Sequence, residues 1–325
     1  MGVYLELILG LAVLIVGAEF LVRGAVSAAQ RLGVSALIIG LTIVGWGTST
    51  PELIVSVDAA LAGSPGIAVG NVVGSNIANI LLILGLAAVV YPITVNPRAI
   101  ARDAGIALAA AVIFIVLAYF TGVISTMAGI AMLVFLAVMT VWVFRQEKNG
   151  QAPEAADLHA KESAQKHALP KSMGVAIAMV IAGLATLIWG ADLLVTAALI
   201  VARDHGVSET VIGLTLVAVG TSLPELATSV VAALRKQSDV ALGNVIGSNI
   251  YNILAILGVA SLWGDITVPP EIIAFDMWIM LGVTLALLPA FFLGGRIGRL
   301  YGAIFLIAYV AYTYYLFTQS AIPAV

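Results

Sequence analysis

Two hexapeptides decide how this chain folds: Gly47-Thr48-Ser49-Thr50-Pro51-Glu52 and Gly220-Thr221-Ser222-Leu223-Pro224-Glu225. They stand 173 positions apart, and the register holds well beyond them. Without a gap, residues 33–95 align on 206–268 with 37 identities in 63 positions. The same offset places Gly17-Ala18-Glu19 on Gly190-Ala191-Asp192 and Asp103 on Asp276. A duplication of this length sets the architecture before any single element is considered.

The duplicated units are apolar. Of 325 residues, 62% are hydrophobic and 10% charged, with a mean hydropathy of +1.14. A soluble domain carries about a quarter charged residues, so the composition is that of an integral membrane protein. Near-continuous apolar runs of about 20 residues read as helices, not as alternating barrel strands. The absence of Cys excludes disulfides and thiolate metal sites. A net charge of −3 carries no message about partners, and nothing points to nucleic acid.

Ten spans are predicted, at about 3–22, 35–61, 67–91, 104–121, 125–144, 174–200, 208–234, 240–263, 274–293 and 300–318. The first carries Glu6 and Glu19 and has no basic leader, so a cleaved signal peptide is not expected. Residues 145–173 hold nine of the 31 charged residues and read as a linker. It is too short for a cation-sensing domain. The chain divides into a first five-helix repeat over 1–144 (motif 40–85), the linker, and a second repeat over 174–325 (motif 213–258). Five spans reverse direction across a membrane. The expected fold is therefore an all-α integral membrane protein of ten transmembrane helices in two inverted five-helix repeats. Such repeats mark secondary transporters, with the substrate near the midplane at the repeat interface.

Orientation follows from the basic residues. Arg23, Arg31, Arg98, Arg102, Arg145, Lys148, Lys161, Lys166, Lys171, Arg235, Lys236, Arg296 and Arg299 fall on one side, and Arg203 alone on the other. This count predicts a cytoplasmic linker and both termini outside a multi-pass cell (inner) membrane protein.

A glutamate at mid-span costs about 3 kcal/mol or more and is a functional hypothesis by default. Two of them related by the repeat, Glu52 and Glu225, strengthen it. Pro51 and Pro224 cannot donate to the carbonyls of Gly47 and Gly220, and broken helices expose main-chain oxygens that coordinate cations. Thr48 and Glu52 lie four apart on one helical face, as do Thr221 and Glu225. Carboxylate, hydroxyl and carbonyl oxygens without nitrogen or sulfur make a hard-cation site, suited to Ca²⁺ or Na⁺. The bland alternative is a proline-kinked helix whose hydroxyls satisfy freed backbone groups; that suffices for Thr42 and Ser56, but not for the two glutamates.

The second matched pair is Gly70-Asn71-Val72-Val73-Gly74-Ser75-Asn76-Ile77-Ala78-Asn79 and Gly243-Asn244-Val245-Ile246-Gly247-Ser248-Asn249-Ile250-Tyr251-Asn252. Asn71, Ser75 and Asn79 form one polar stripe, while Gly70 and Gly74 suit close helix approach. Ser75, Asn79, Ser248 and Asn252 are placed near the ion. Asn71, Asn76, Asn244 and Asn249 serve equally well as interhelical hydrogen-bonders. The glycines at 33, 40 and 47, repeated at 206, 213 and 220, read as packing positions.

The remaining acids carry weaker readings. Glu19 can pair with Arg23 one turn on, Asp192 reads as a group near the headgroups, and Asp58 as a cation attractor at the outer mouth. His159, His167 and His205 lie outside the spans, so no base activates Ser49 or Ser222; the chain is not read as an enzyme. No phosphate-binding loop supports ATP-driven pumping.

The paired GTSTPE/GTSLPE and GNVVGSNIAN/GNVIGSNIYN motifs resemble the two α-repeats of the cation/calcium antiporter superfamily, most closely its prokaryotic sodium/calcium exchanger branch. The resemblance implies Na⁺/Ca²⁺ exchange, with Ca²⁺ and Na⁺ as transported ions, no cofactor, and a monomer sufficient for transport. It implies as ligands Glu52, Thr48, Ser49, Ser75 and Asn79 together with Glu225, Thr221, Ser222, Ser248 and Asn252. The carbonyls of Gly45 and Ala218 join the same set. Some members carry Asp where this chain has Asn252, so the centre here holds two carboxylates and K⁺ co-transport is disfavoured. Through the resemblance, the first and sixth helices are expected to slide against the other eight. One Ca²⁺ or several Na⁺ would neutralise the two carboxylates, so the loads compete. If three Na⁺ exchange for one Ca²⁺, the net charge moved is worth about 2.3 kcal/mol per 100 mV. A Ca²⁺/H⁺ antiporter on the same scaffold is the first rival, since buried carboxylates also carry protons; a cation channel is the second.

Overall fold

The apolar runs are helices in the computed structural model of the protein, which describes residues 2–94, 97–148, 170, 172–205, 218–289 and 296–320. In chain order they are α1 (Val3–Leu32), α2 (Ala36–Thr48), α3 (Thr50–Leu61), α4 (Pro65–Val90), α5 (Pro97–Thr121), α6 (Thr126–Lys148), α7 (Met173–Asp204), α8 (Ala218–Thr221), α9 (Leu223–Leu234), α10 (Ser238–Trp263), α11 (Ile272–Leu285) and α12 (Arg299–Ser320). Among the described residues, seven are long and apolar enough to cross a membrane: α1, α4, α5, α6, α7, α10 and α12. The α2/α3 pair meets the same test as one span bent by 45°, and α9 and α11 are shorter apolar helices. The chain is therefore a multi-pass, predominantly helical membrane protein.

Local chemistry sets the helix ends. Pro65 and Pro97 open α4 and α5, where a missing N–H costs nothing. Gly33 ends α1 at φ 67°, and the Ser35 hydroxyl accepts from the Ile38 N–H to start α2. The expected first span ended near residue 22, but α1 runs to Leu32. Arg23 and Arg31 end the apolar run without ending the helix, which stops only at Gly33. Likewise α5 begins at Pro97, not 104, and takes in a charged turn in which the Arg102 guanidinium meets the Asp103 carboxylate at 2.6 Å. The expected second span is not one rod. It breaks at Ser49 (φ −81°, ψ 11°), and its counterpart breaks at Ser222 (φ −90°, ψ 8°). Residues 208–217 of the seventh span, 290–293 of the ninth, Gly206, Gly213, and most of the 145–173 linker with His159, Lys161, Lys166, His167 and Lys171 lie outside the described residues.

Burial separates centre from rim. In α4 and α10, 78% and 83% of the apolar window is buried against protein, whereas in α12 the share is 11%. The two central helices are the ones that carry the asparagine motifs. Their polar stripes therefore face protein rather than lipid, and each widens into a π-helical turn beginning at Asn79 or Asn252. Around them, α1 and α7 pack along their lengths. A Cβ on Gly183 would stand 2.6 Å from the Leu21 backbone nitrogen, and one on Gly17 2.8 Å from that of Leu187. Lipid tails are as apolar as Leu, so helices in a bilayer associate through such close approach.

Two small antiparallel sheets fix helix directions. Strand β1 (Ile93–Thr94) pairs with β4 (Arg296–Ile297), and β2 (Val123–Ile124) with β3 (Ile266–Thr267). Ile93 faces Ile297, and the 173-residue offset converts that pair into Ile266 facing Ile124. Helix α5 leads from β1 to β2 and α11 from β3 to β4. The sheets therefore sit at opposite ends of these two helices, which run antiparallel to one another.

Candidate cation site

Each helix break puts a glutamate in the first turn of the helix that follows. Glu52 sits in the first turn of α3 and Glu225 in that of α9, where the helix dipole favours a carboxylate. Both are 1% exposed. The serines at the breaks then cross between the halves. Ser222 Oγ donates to Glu52 Oε1 at 3.0 Å, and Ser49 Oγ donates to Glu225 Oε1 at 2.8 Å. Ser75 lies 3.5 Å from Ser222 through their hydroxyls. Thr48, Ser49, Ser75, Ser222, Ser248, Asn79 and Asn252 are all buried.

Four oxygens in this cluster are buried without a hydrogen-bond partner: Glu52 Oε2, Glu225 Oε2, Asn79 Oδ1 and Asn252 Oδ1. An uncompensated buried acceptor costs about 1–3 kcal/mol, and more when it is charged. Two carboxylate and two amide oxygens, equally divided between the halves, are the kind of donor set that a hard cation takes.

The helices behind the glutamates are braced symmetrically. Asn71 Nδ2 donates to the Glu52 carbonyl at 3.2 Å and to Ser56 Oγ at 2.9 Å. Asn244 Nδ2 donates to the Glu225 carbonyl and Ser229 Oγ at the same two distances. Asn71 and Asn244 are thus interhelical braces, and Ser56 is a structural hydroxyl; Thr42, donating to the Ile38 carbonyl at 2.6 Å, is another.

Other expected ligands are placed less simply. The Thr48 hydroxyl lies 3.0 Å from Asn244 Oδ1 and 3.1 Å from the Val44 carbonyl. The Gly45 carbonyl already accepts from the Ser49 N–H and, at 3.2 Å, from Ser248 Oγ. Ala218 opens α8, one turn before the Ser222 break. Thr221 is half-buried on the wall of an apolar cavity of about 280 Å³, lined also by Pro51, Ile54, Ile188, Asp192 and Gly220.

Of the acids outside the cluster, Glu19 has a partner that its sequence reading did not include. Glu19 is met by Arg235 of the other half, Nε to Oε2 at 2.9 Å, a pairing that the spacing to Arg23 did not suggest. Asp192, its counterpart, is exposed, as is Asp58 near the end of α3.

Fold and site together define a multi-pass helical membrane protein with a buried, all-oxygen, two-carboxylate centre built equally from a duplicated chain. The sequence profile of the family described as sodium/calcium exchanger protein matches residues 3–145 and again 175–318, and the chain belongs to that family. It is 35% identical to the sodium/calcium exchanger MaX1 of Methanosarcina acetivorans, over 97% of this chain and 98% of that protein. It is 38% identical to the inner membrane protein YrbG of Escherichia coli, over 86% of this chain and 85% of that protein. Its fold matches the sodium-calcium exchanger NCX_Mj, in a crystal soaked with 2.5 mM Na⁺ and 0.1 mM Ca²⁺, with a TM-score of 0.81 and 32% identity over 96% and 98% of the two chains.

Proposed function

We propose that the protein exchanges Na⁺ for Ca²⁺ across a cell (inner) membrane by alternating access to a site centred on Glu52 and Glu225. The observation that carries this reading is the set of four unpartnered buried oxygens, two of them carboxylate, contributed symmetrically by the two halves. Two negative charges match one Ca²⁺ or several Na⁺, so one load displaces the other. The remaining ligands are Thr48, Ser49, Ser75, Thr221, Ser222 and Ser248, with the carbonyls of Gly45 and Ala218. The family, and the name of the relative MaX1, support Na⁺ and Ca²⁺ as the ions.

Ten spans are completed by counting the bent α2/α3 pair, the segment ending in α8/α9 and the short α11 with the seven long helices. The antiparallel course of α5 and α11, which are repeat counterparts, supports inversion of the two halves. The basic residues support a cytoplasmic linker with both termini outside. In alternating access the α1/α7 pair slides across the site. The Glu19–Arg235 contact at the inner end of α9, and the cavity between α3 and α7 on the opposite side, support an outward-facing state.

The test is flux of radiolabelled Ca²⁺ into proteoliposomes. An outward Na⁺ gradient should drive uptake in the wild-type protein and not in Glu225→Gln. Uptake that ignores Na⁺ but follows a pH gradient would replace this reading with proton antiport. Non-saturating flux without counter-exchange would make it a channel.

A further inference from the structure

Four amides interlock where α4 crosses α10. Asn76 Nδ2 donates to the main-chain carbonyl of Asn249, and Asn249 Nδ2 to that of Asn76, each at 3.2 Å. A main-chain carbonyl only accepts, so each side chain must turn its NH2 toward it and its Oδ1 away. Asn76 Oδ1 then receives Asn252 Nδ2 at 3.1 Å, and Asn249 Oδ1 receives Asn79 Nδ2 at 2.9 Å. Those two NH2 groups are now committed as well. The oxygens left over are Asn79 Oδ1 and Asn252 Oδ1, the same two that are buried without a partner. All four side chains are buried, at 1% to 3% exposure.

We propose that Asn76 and Asn249 are positioning residues: they fix the amides of Asn79 and Asn252 so that oxygen, not NH2, faces the cation, and Asn76 thereby demands an amide rather than a carboxylate at position 252. The inference rests on the reading of this cluster as a cation site. An Asp at 252 has no N–H to offer and would set a carboxylate oxygen against Asn76 Oδ1. Asn76 cannot rotate to meet it without withdrawing its NH2 from the Asn249 carbonyl, which would keep only the Asn252 backbone N–H as a donor. A carboxylate at 252 is therefore compatible with this seam only once the Asn76 oxygen is gone.

The test is a two-by-two set, wild type, N76A, N252D and N76A/N252D, in purified full-length protein checked for monodispersity. Ca²⁺ binding is read by titration calorimetry in detergent, separately from transport. N76A should weaken Ca²⁺ binding about three- to tenfold in the Asn252 background, the worth of one lost orienting hydrogen bond. In the N252D background the same change should tighten it by a similar factor. A purely structural role moves affinity the same way in both backgrounds; that result, or no change in either, overturns the proposal, as does absence of Ca²⁺ binding by the wild type. The mirror set, N249A with N79D, should show the same reversal, and N76S replaces N76A if the latter is not recovered folded. Loss of Na⁺-driven flux with the reversal intact would sink the exchanger reading alone; flux without the reversal would sink the positioning role alone.

Discussion

Glu52 and Glu225 are each held by a serine from the opposite half of the chain, so neither half completes a carboxylate environment by itself. Glutamine at either position keeps shape and hydrogen-bonding capacity while removing one of two charges that face the cation. Glu52→Gln and Glu225→Gln should each weaken Ca²⁺ binding about 30-fold or more, the scale for losing one member of a buried charge pairing, as measured by calorimetry. Because the serine bonds are related by the repeat, Ser49→Ala and Ser222→Ala should give losses within a few-fold of each other, each about tenfold or more for a hydrogen bond to a charged group. A large loss in one and none in the other would show that only one half binds. The identity of these side chains was legible in the sequence, because the repeat marks them twice. Their partners were not. Spacing along one helix paired Thr48 with Glu52, whereas in the structure Thr48 turns to Asn244 and the Val44 carbonyl, and the glutamate is reached from across the seam.

At the scale of elements, hydropathy located the helices but not their breaks or true ends. Proline at 51 and 224 announced a disturbance, yet the bend falls at the preceding serines, which then serve the opposite glutamates. The helix pair α1/α7 shows why glycine spacing matters more than hydrophobicity here. Any side chain on Gly183 meets the Leu21 backbone, which cannot yield as a flexible side chain would. Gly183→Val should lower thermal stability by about 1–3 kcal/mol, the scale for overpacking, and should remove flux if α1 and α7 move together. Unchanged melting would mean that the helices separate freely. Arg235 ties this pair to α9 through Glu19, with side chains 41% and 20% exposed. An exposed pair of this kind contributes about 0.2–1 kcal/mol, so Glu19→Gln should shift the balance between inner and outer accessibility by no more than about fivefold. The shift should shrink as ionic strength rises, and the ratio of Ca²⁺ half-saturation on the two faces reads it. No sequence window contained this contact, because its members lie in different halves.

At the scale of the whole molecule, two independent features bear on direction. One is the pair of sheets at opposite ends of α5 and α11, which makes these repeat counterparts antiparallel. The other is the distribution of basic residues, thirteen on one predicted side and Arg203 on the other. The first orients two counterpart helices relative to each other and says nothing about the membrane; the second is an expectation about the membrane and needs an odd number of spans per half. If both hold, position 62, in the turn after α3, and position 161, in the linker, lie on opposite faces. The chain has no native cysteine, so single substitutions report without background. In intact cells made permeable only at the outer boundary, a membrane-impermeant maleimide should modify Ala62→Cys and spare Lys161→Cys. In inside-out vesicles the order should reverse. Modification of both from one face would break the odd-span count, and the opposite order would turn the protein over in the membrane, placing the cavity beside Thr221 on the cytoplasmic side and making the state inward-facing.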